Sequence, residues 1–527
     1  MRGRTSRRIA VSVGACVAAA AGVGTLVASG GQAAGASVRP GVASPRVRHA
    51  GRASAVRLKR IVDVAKLPPA SATPPAKNVE PAETAPVTGP PRTSGIVALT
   101  QKGIRSGSGS PVASASSTER VSVAGFSDRG IPPDTQLAVS SKYVVEFVNT
   151  SGEVLNHAGT VITSFDLGSL FSGTAGAGSD PKIVYDASSG DFFATYISAF
   201  TRPSGPSEVD LAVTKNPTGS WAVYTVNTES ILQDQPKLGV SSDKLTISWN
   251  DNGNSGPEEY KVIQKAGVVA QLNTVAGVIW GPDSGRLNVV PAVQLSASTT
   301  AYSVFHNYNS STVGVLAFTG VPGISPTTFT ENDMSIAKTS APPAAAQPPV
   351  GGVASRTLDT GDDRLESTVW YKGDLWTSGG DVCRAKTDKS SRACLRVIHI
   401  STPTMSVVRD VDVTMVGGSV MYPAVVMDAR RDLWIAFSSS SKSKFASSEV
   451  AEAAGGDIGP TLGETTYKTG TGAINVNSAC ATPPDNRFGD YSGVAVDPAR
   501  KDLGIWAATE FGLAGCQSGT QLGSFTP

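Results

Sequence analysis

Six aspartates stand a few residues ahead of short apolar runs: Asp134, Asp180, Asp234, Asp362, Asp363 and Asp490. Arg129, Arg286, Arg364 and Arg487 occupy the same kind of segment, and Asn149, Asn250, Asp251, Asn307 and Glu510 close a following run. If these segments share one side of a fold, they gather carboxylates, amides and guanidiniums. Such a surface suits an anionic or sugar ligand, because a guanidinium fork matches a carboxylate with two parallel hydrogen bonds. The same residue types also serve a local purpose, since aspartate at a turn start accepts from nearby backbone and Asp–Arg pairs hold corners together. Two readings therefore stand. In one, Arg129, Arg286, Arg364, Arg487, Asp234, Asp363, Asp490 and Asn250 bind a ligand. In the other they cap turns and pair with each other.

Other chemistries find no residues to carry them. The chain has no Gly-x-Ser-x-Gly elbow, no phosphate-cradling glycine loop and no His-Glu-x-x-His helix. His157, His306 and His399 lie scattered, so no histidine triad or zinc site is expected. Asn250-Asp251-Asn252-Gly253-Asn254 and residues 359–363 are rich in oxygen ligands but lack the spaced positions and terminal Glu of an EF-hand loop. No cofactor is expected; a structural Ca2+ is the one ion these loops could take.

The elements that must position these residues repeat. An apolar strand, a short polar turn and a second strand opening on an aromatic residue or Leu recur from Gln136 onward. The pairs fall at 136–139 with 143–149, 182–186 with 191–197, 237–240 with 244–249, and 293–296 with 301–307. They continue at 365–370 with 374–377, 424–428 with 432–437, and 492–497 with 502–509. Third strands follow at 209–214, 260–264, 314–318 and 395–400, and fourth strands at 221–226 and 407–413. Four-stranded units at such intervals predict an all-β fold, a β-propeller, in which each sheet hides its faces by stacking on its neighbours. Seven copies predict seven blades, with six as the alternative. Residues 120–126 and 521–525 are the expected partners for closing the ring, and 341–353 is expected to be a long surface loop.

Composition fits that class. Charged residues make up 17% of 527, and 56 Gly with 34 Pro favour turns over long helices. Eleven of the 45 Lys/Arg but none of the 43 Asp/Glu fall in residues 1–60, so the remainder is net acidic and a nucleic-acid partner is not expected. Arg2, Arg4, Arg7 and Arg8 precede an Ala-rich apolar stretch, which predicts a secretory signal over 1–36, cut after Ala33 or Ala36. Residues 37–118, rich in Pro, Ala and Ser, are expected to be a disordered linker, and 119–527 a single propeller domain. No later apolar run is long enough for a membrane span. Apart from Cys16 there are four cysteines, an even number that in an exported chain predicts two disulfides: Cys383–Cys394 and Cys480–Cys516. The protein is thus expected to be secreted, free or held at the cell envelope, and a monomer whose partner is an extracellular glycan or protein.

Pro133-Asp134-Thr135-Gln136, the run from Asp180 to Asp186, the run from Thr357 to Leu365, and Arg487-Phe488-Gly489-Asp490-Tyr491-Ser492-Gly493 resemble recurrent stretches of secreted bacterial sialidase-like β-propellers. That broad group is mostly of unassigned activity. The run from Thr214 to Trp221 is similar to the sialidase Asp-box, with Asn216 in place of Asp, a turn of structural purpose. For catalysis the resemblance implies three Arg on a substrate carboxylate, a Tyr nucleophile assisted by Glu, and an Asp acid/base. Arg364 and Arg487, with Arg129 or Arg286, would fill the first role; Tyr422 or Tyr491 with Glu510 or Glu366 the second; Asp134 or Asp180 the third. Arg129-Gly130-Ile131-Pro132 departs from the Arg-Ile-Pro signature by an inserted Gly, and one Asp-box is recognisable. The first expectation is therefore a propeller that binds a carbohydrate or protein partner without catalysis. A sialidase-like glycoside hydrolase or lyase acting on an acidic glycan is the alternative.

Overall fold

The computed structural model describes residues 47–70, 89–101, 117–128, 132–198, 206–228, 231–253, 256–474, 487–500, 504–514 and 517–527. Among them the strands fall into seven consecutive four-stranded antiparallel units. The first contains Gln136–Val139, Val144–Phe147, Ser151–Leu155 and Val161–Asp166. The second contains Ser179–Asp186, Asp191–Ser198, Glu208–Thr214 and Ser220–Thr228, and the third Gln233–Val240, Lys244–Asp251, Glu258–Gln264 and Gly277–Asp283. The fourth contains the short Val290–Pro291, then Ala301–Phe305, Thr312–Thr319 and Thr328–Ser335, while Val293–Gln294 pairs in parallel with the first strands of the third and fifth units. Leu365–Tyr371, Asp374–Cys383, Arg392–Ser401 and Ser406–Thr414 make the fifth, and Gly418–Met427, Leu433–Ser441, Lys444–Ala453 and Thr461–Lys468 the sixth. The seventh joins Gly493–Val496, Ile505–Leu513 and Gln517–Thr526 to Thr118–Asp128.

The first strands pack on one another in chain order, and the seventh returns to the first, so they enclose a central channel. That closed ring is a β-propeller. Closure is made by the C-terminal strand against Thr118–Asp128, with Gln521 opposite Ala124 and Ser524 opposite Val121. Hydrophobic cores lie between sheets rather than within one. Phe147 of the first unit packs with Trp221 of the second, Tyr224 of the second with Trp249 of the third, and Trp434 of the sixth with Ile505 of the seventh. Each fully buried Phe or Leu contributes on the order of 1.5–3 kcal/mol, and only a neighbouring sheet can bury it.

The described residues between 47 and 101 depart from the expected linker. Arg48–Ala50 pairs with the outer strand of the fourth unit, Arg52–Ala53 with that of the third, and Val56–Asp63 with that of the second. Ile96–Gln101 lies parallel to the outer strands of both the fifth and sixth units. The described part of this stretch is thus a belt over five outer edges, and the compact unit runs from Arg46 to Pro527 rather than from 119. An exposed sheet edge presents unpaired N–H and C=O groups, which the belt satisfies. Val56, Val62, Val64, Val97 and Leu99 anchor it by burial, and Lys59 pairs with Glu208 at 2.6 Å and Asp210 at 2.9 Å. Arg92 adds contacts to Asp410 at 3.2 Å and Asp412 at 3.5 Å. The stretch 341–353 also departs from a free surface loop, because Ala341 and Ala345 are fully buried and Gln347 bonds to both backbone groups of Ile474.

Candidate functional site

Where the chain enters five of the seven first strands, the backbone is kinked. Asp134, Asp180, Gln235, Asn288 and Tyr422 have φ of 53°, 54°, 50°, 53° and 55°. Aspartate and asparagine tolerate this left-handed region, whereas for a bulky Tyr it is an outlier. The strand register breaks across three of these positions, and Pro181, Pro236 and Pro423 come directly after them, where a missing N–H costs nothing. A kink of this kind stores about 1–3 kcal/mol and persists only where its surroundings hold it.

Polar side chains of adjacent units do the holding. Asn149 accepts from the Asp180 N–H at 2.8 Å, and Asp180 accepts from the Gln235 N–H at 3.0 Å. Glu258 accepts from the Asn288 and Val289 N–H groups, each at 3.2 Å. Asp134 accepts from the Asn149 amide at 2.7 Å and from the Asp490 N–H at 2.8 Å, while its own N–H donates to Glu510 at 2.7 Å. Asp363 accepts from the Asn309 N–H and the Thr339 hydroxyl, both at 2.6 Å. These bonds stitch first to second unit, second to third, third to fourth, fourth to fifth, and seventh to first. Asp234, half-buried, sits opposite the buried Asn250 in the third unit.

The two best-placed arginines are engaged inside this ring. Arg364 grips Asp362 with Nε at 2.8 Å and a terminal nitrogen at 2.6 Å, and its other terminal nitrogen donates to Gln235. Arg487 donates to Asp490 and lies 3.4 Å from Asp359. Their side chains are 4% and 6% exposed, so neither guanidinium faces open solvent. Arg286 stands elsewhere: its side chain turns outward to Asp283, at 2.7 Å, and to Glu331 on the outer strand of the fourth unit. Arg129, Cys480 and Cys516 lie outside the described residues, whereas Cys383 and Cys394 are disulfide-bonded. Among the described residues no group of three or more His, Cys, Asp or Glu is placed to hold a metal ion, and Asp359 and Asp362 are taken up by arginines.

The residues implied for catalysis are buried. Tyr491 is 2% exposed, its ring lies 3.5 Å from the Lys182 ammonium, and its hydroxyl has no hydrogen-bond partner among the described residues. Burial pushes its pKa well up, with Asp180 and Asp490 adding to the effect. Burial likewise raises the Glu510 and Glu366 carboxyls well above the ordinary range. Tyr422 is 3% exposed, with its ring 6.3 Å from Phe488, and its carbonyl accepts from Ser492 at 2.6 Å. A Tyr nucleophile needs a base on its hydroxyl. The Tyr491 hydroxyl has none bonded to it among the described residues.

Sequence reasoning missed Gln235, Glu258, Asn288, Lys182 and Lys237. The signal for the two lysines is the repeated Pro-Lys at 181–182 and 236–237, which places both side chains at the start of a first strand. Lys237 is 1% exposed and its ammonium has no hydrogen-bond partner among the described residues.

Fold and site together define a β-propeller whose loop face over the channel is framed by a buried, mutually bonded polar ring. No family model and no curated protein matches the chain. Among solved structures it is similar to the NanB sialidase from Streptococcus pneumoniae, at 10% identity and a TM-score of 0.33, over 58% of this chain and 64% of that one. It therefore spans just under two-thirds of that sialidase's length. It is also similar to a subtype N10 neuraminidase-like protein of A/little yellow-shouldered bat/Guatemala/060/2010, at 10% identity and 0.34, over 58% and 89%. Drosophila Plexin A in complex with Semaphorin 1b is a third, at 7% and 0.33, over 78% and 88%. Likeness at this level assigns no activity to the chain.

Proposed function

We propose that the chain is an exported, seven-bladed propeller that binds a carbohydrate or protein partner through the loop face over its channel, without catalysing a reaction. One observation carries this reading. Arg364 and Arg487, the guanidiniums that would receive a substrate carboxylate, are already bonded to Asp362 and to Asp490 and Asp359 in a buried setting. A site that must bind a substrate anion keeps its forks open; a framework that shapes loops closes them. Buried Tyr491 supports the same reading, since its hydroxyl has no hydrogen-bonded base among the described residues. The described residues contain no helix long and apolar enough to cross a membrane, and the Cys383–Cys394 bond suits an oxidising compartment. A signal over 1–36 and a second bridge from Cys480 to Cys516 belong to the same proposal.

The test is incubation of the intact chain with a mixed acidic-glycan and extracellular-protein library, with free and retained fractions read by mass spectrometry. Retention at unchanged mass is the expected result. A shifted glycan mass would replace this reading with a glycoside hydrolase or lyase.

A further inference from the structure

The central channel holds a cavity of about 310 Å³, lined by the first strands of all seven units. Its wall is apolar, with Leu137, Ile183, Leu238, Val290, Val425 and Val494 supplied by six of them. Beneath the polar ring the wall gives way to Gln136, Lys182, Lys237 and Glu366. At the other end it reaches Ala187, Ser188, Ala297 and Pro498, exposed residues of the turns that follow the first strands. The mouth is therefore on the face opposite the polar ring, and the charged groups lie at the blind end.

Two buried polar atoms at that end lack hydrogen-bond partners among the described residues: the Lys237 ammonium and Glu366 Oε2, in side chains 1% and 8% exposed. Two of the carboxylates that act on Lys237 are engaged elsewhere, since Glu258 accepts from the Asn288 and Val289 N–H groups and Asp362 is gripped by Arg364. Burying an unbonded polar group is costly, and an apolar cavity with a few convergent polar groups is the general form of a small-ligand site. We infer that the channel binds an aliphatic carboxylate, with its tail along the apolar wall and its head on Lys237 and Lys182. A carboxylate head accepts charge-assisted hydrogen bonds from both ammoniums, and also from the Glu366 carboxyl in the protonated form that burial favours. Burial, together with the Lys237 charge, holds the Lys182 amine at about 7, so the pair gains from an added counter-charge. From Lys182 to Asp186 the strand runs about 13 Å, room for a medium-length tail.

Calorimetric titration of the intact chain with hexanoate, octanoate, decanoate and decan-1-ol tests this. The expected result is a single site that tightens about fourfold per added methylene, the fold-change equivalent to about 0.8 kcal/mol. Decanoate should bind at least tenfold more tightly than decan-1-ol, and Lys237→Met should remove that preference while leaving decan-1-ol unchanged. Val494→Phe, which fills the channel, should weaken both. Absence of saturable binding would overturn the inference, as would equal affinity of the wild type for decanoate and decan-1-ol, a comparison that needs no variant to fold. Because the mouth is on the opposite face, either result leaves the loop-face proposal to be judged separately.

Discussion

Arg364→Ala separates a structural strut from a ligand fork. In the ring the guanidinium makes two bonds to Asp362 and one to Gln235, tying the fifth unit to the third. Asp362 is 4% exposed, so removing Arg364 leaves an uncompensated buried carboxylate, which costs about 3–5 kcal/mol. Burial pushes the Asp362 pKa up, but the Arg364 charge and hydrogen bonds outweigh it and hold the group below its ordinary value. A carboxyl depressed in the folded state adds stability above its unfolded pKa, about 3.9, and that stability is lost as pH falls through the folded value. The variant lacks this contribution, so its deficit should be full at neutral pH and close on acidification. Denaturant midpoints at unchanged slope measure it. Asp362→Asn in the Arg364→Ala background should recover most of the loss, giving a coupling energy of a few kcal/mol in a double-mutant cycle. A variant that keeps wild-type stability but no longer retains ligand would refute this reasoning and make Arg364 the open fork expected from sequence.

Three further outcomes follow from named contacts. Burial, with the Arg396 charge, holds the fully enclosed His306 at about 4, below its usual 6.5. Its contribution is complete above pH 6.5 and is lost as pH falls toward 4, about 3 kcal/mol in total, so His306→Gln should flatten that part of the pH–stability curve. The Cys383–Cys394 bridge closes 11 residues of chain, and Cys383→Ser with Cys394→Ser should cost about 3 kcal/mol by denaturant titration. A chain beginning at residue 119 loses the belt strands over five outer edges. It should melt earlier and aggregate more than one beginning at residue 46, and equal melting of the two would show that the belt adds nothing.

The inner strand pairs were legible because their signals are local. Asp428 bonds the backbone of Arg430 and Asp432 in the turn, and the apolar run from Leu433 to Phe437 is then buried on both faces of its strand. Residues 48–63 were not legible as strands. Arg57, Lys59 and Arg60 interrupt the apolar residues, and the partners of Lys59 lie 149 and 151 residues away. An outer edge strand needs only one apolar face, so its composition resembles a linker. In the site, the aspartates before the first strands were readable as turn formers, yet nothing local marks Gln235 or Tyr422 as left-handed. Arg286 precedes a first strand in sequence, but its side chain goes to outer-strand carboxylates, a direction that spacing does not encode.

The most direct measurement is selective NMR of the Arg364 and Arg487 Nε–H groups in arginine-labelled protein, each assigned by its Lys variant, with and without excess acidic glycan. The expected result is two slowly exchanging signals whose positions do not change when glycan is retained, as befits guanidiniums committed to Asp362, Asp490 and Asp359. Glycan-dependent shifts of either signal would contradict the central claim, because the arginines would then open their internal pairs to take the ligand.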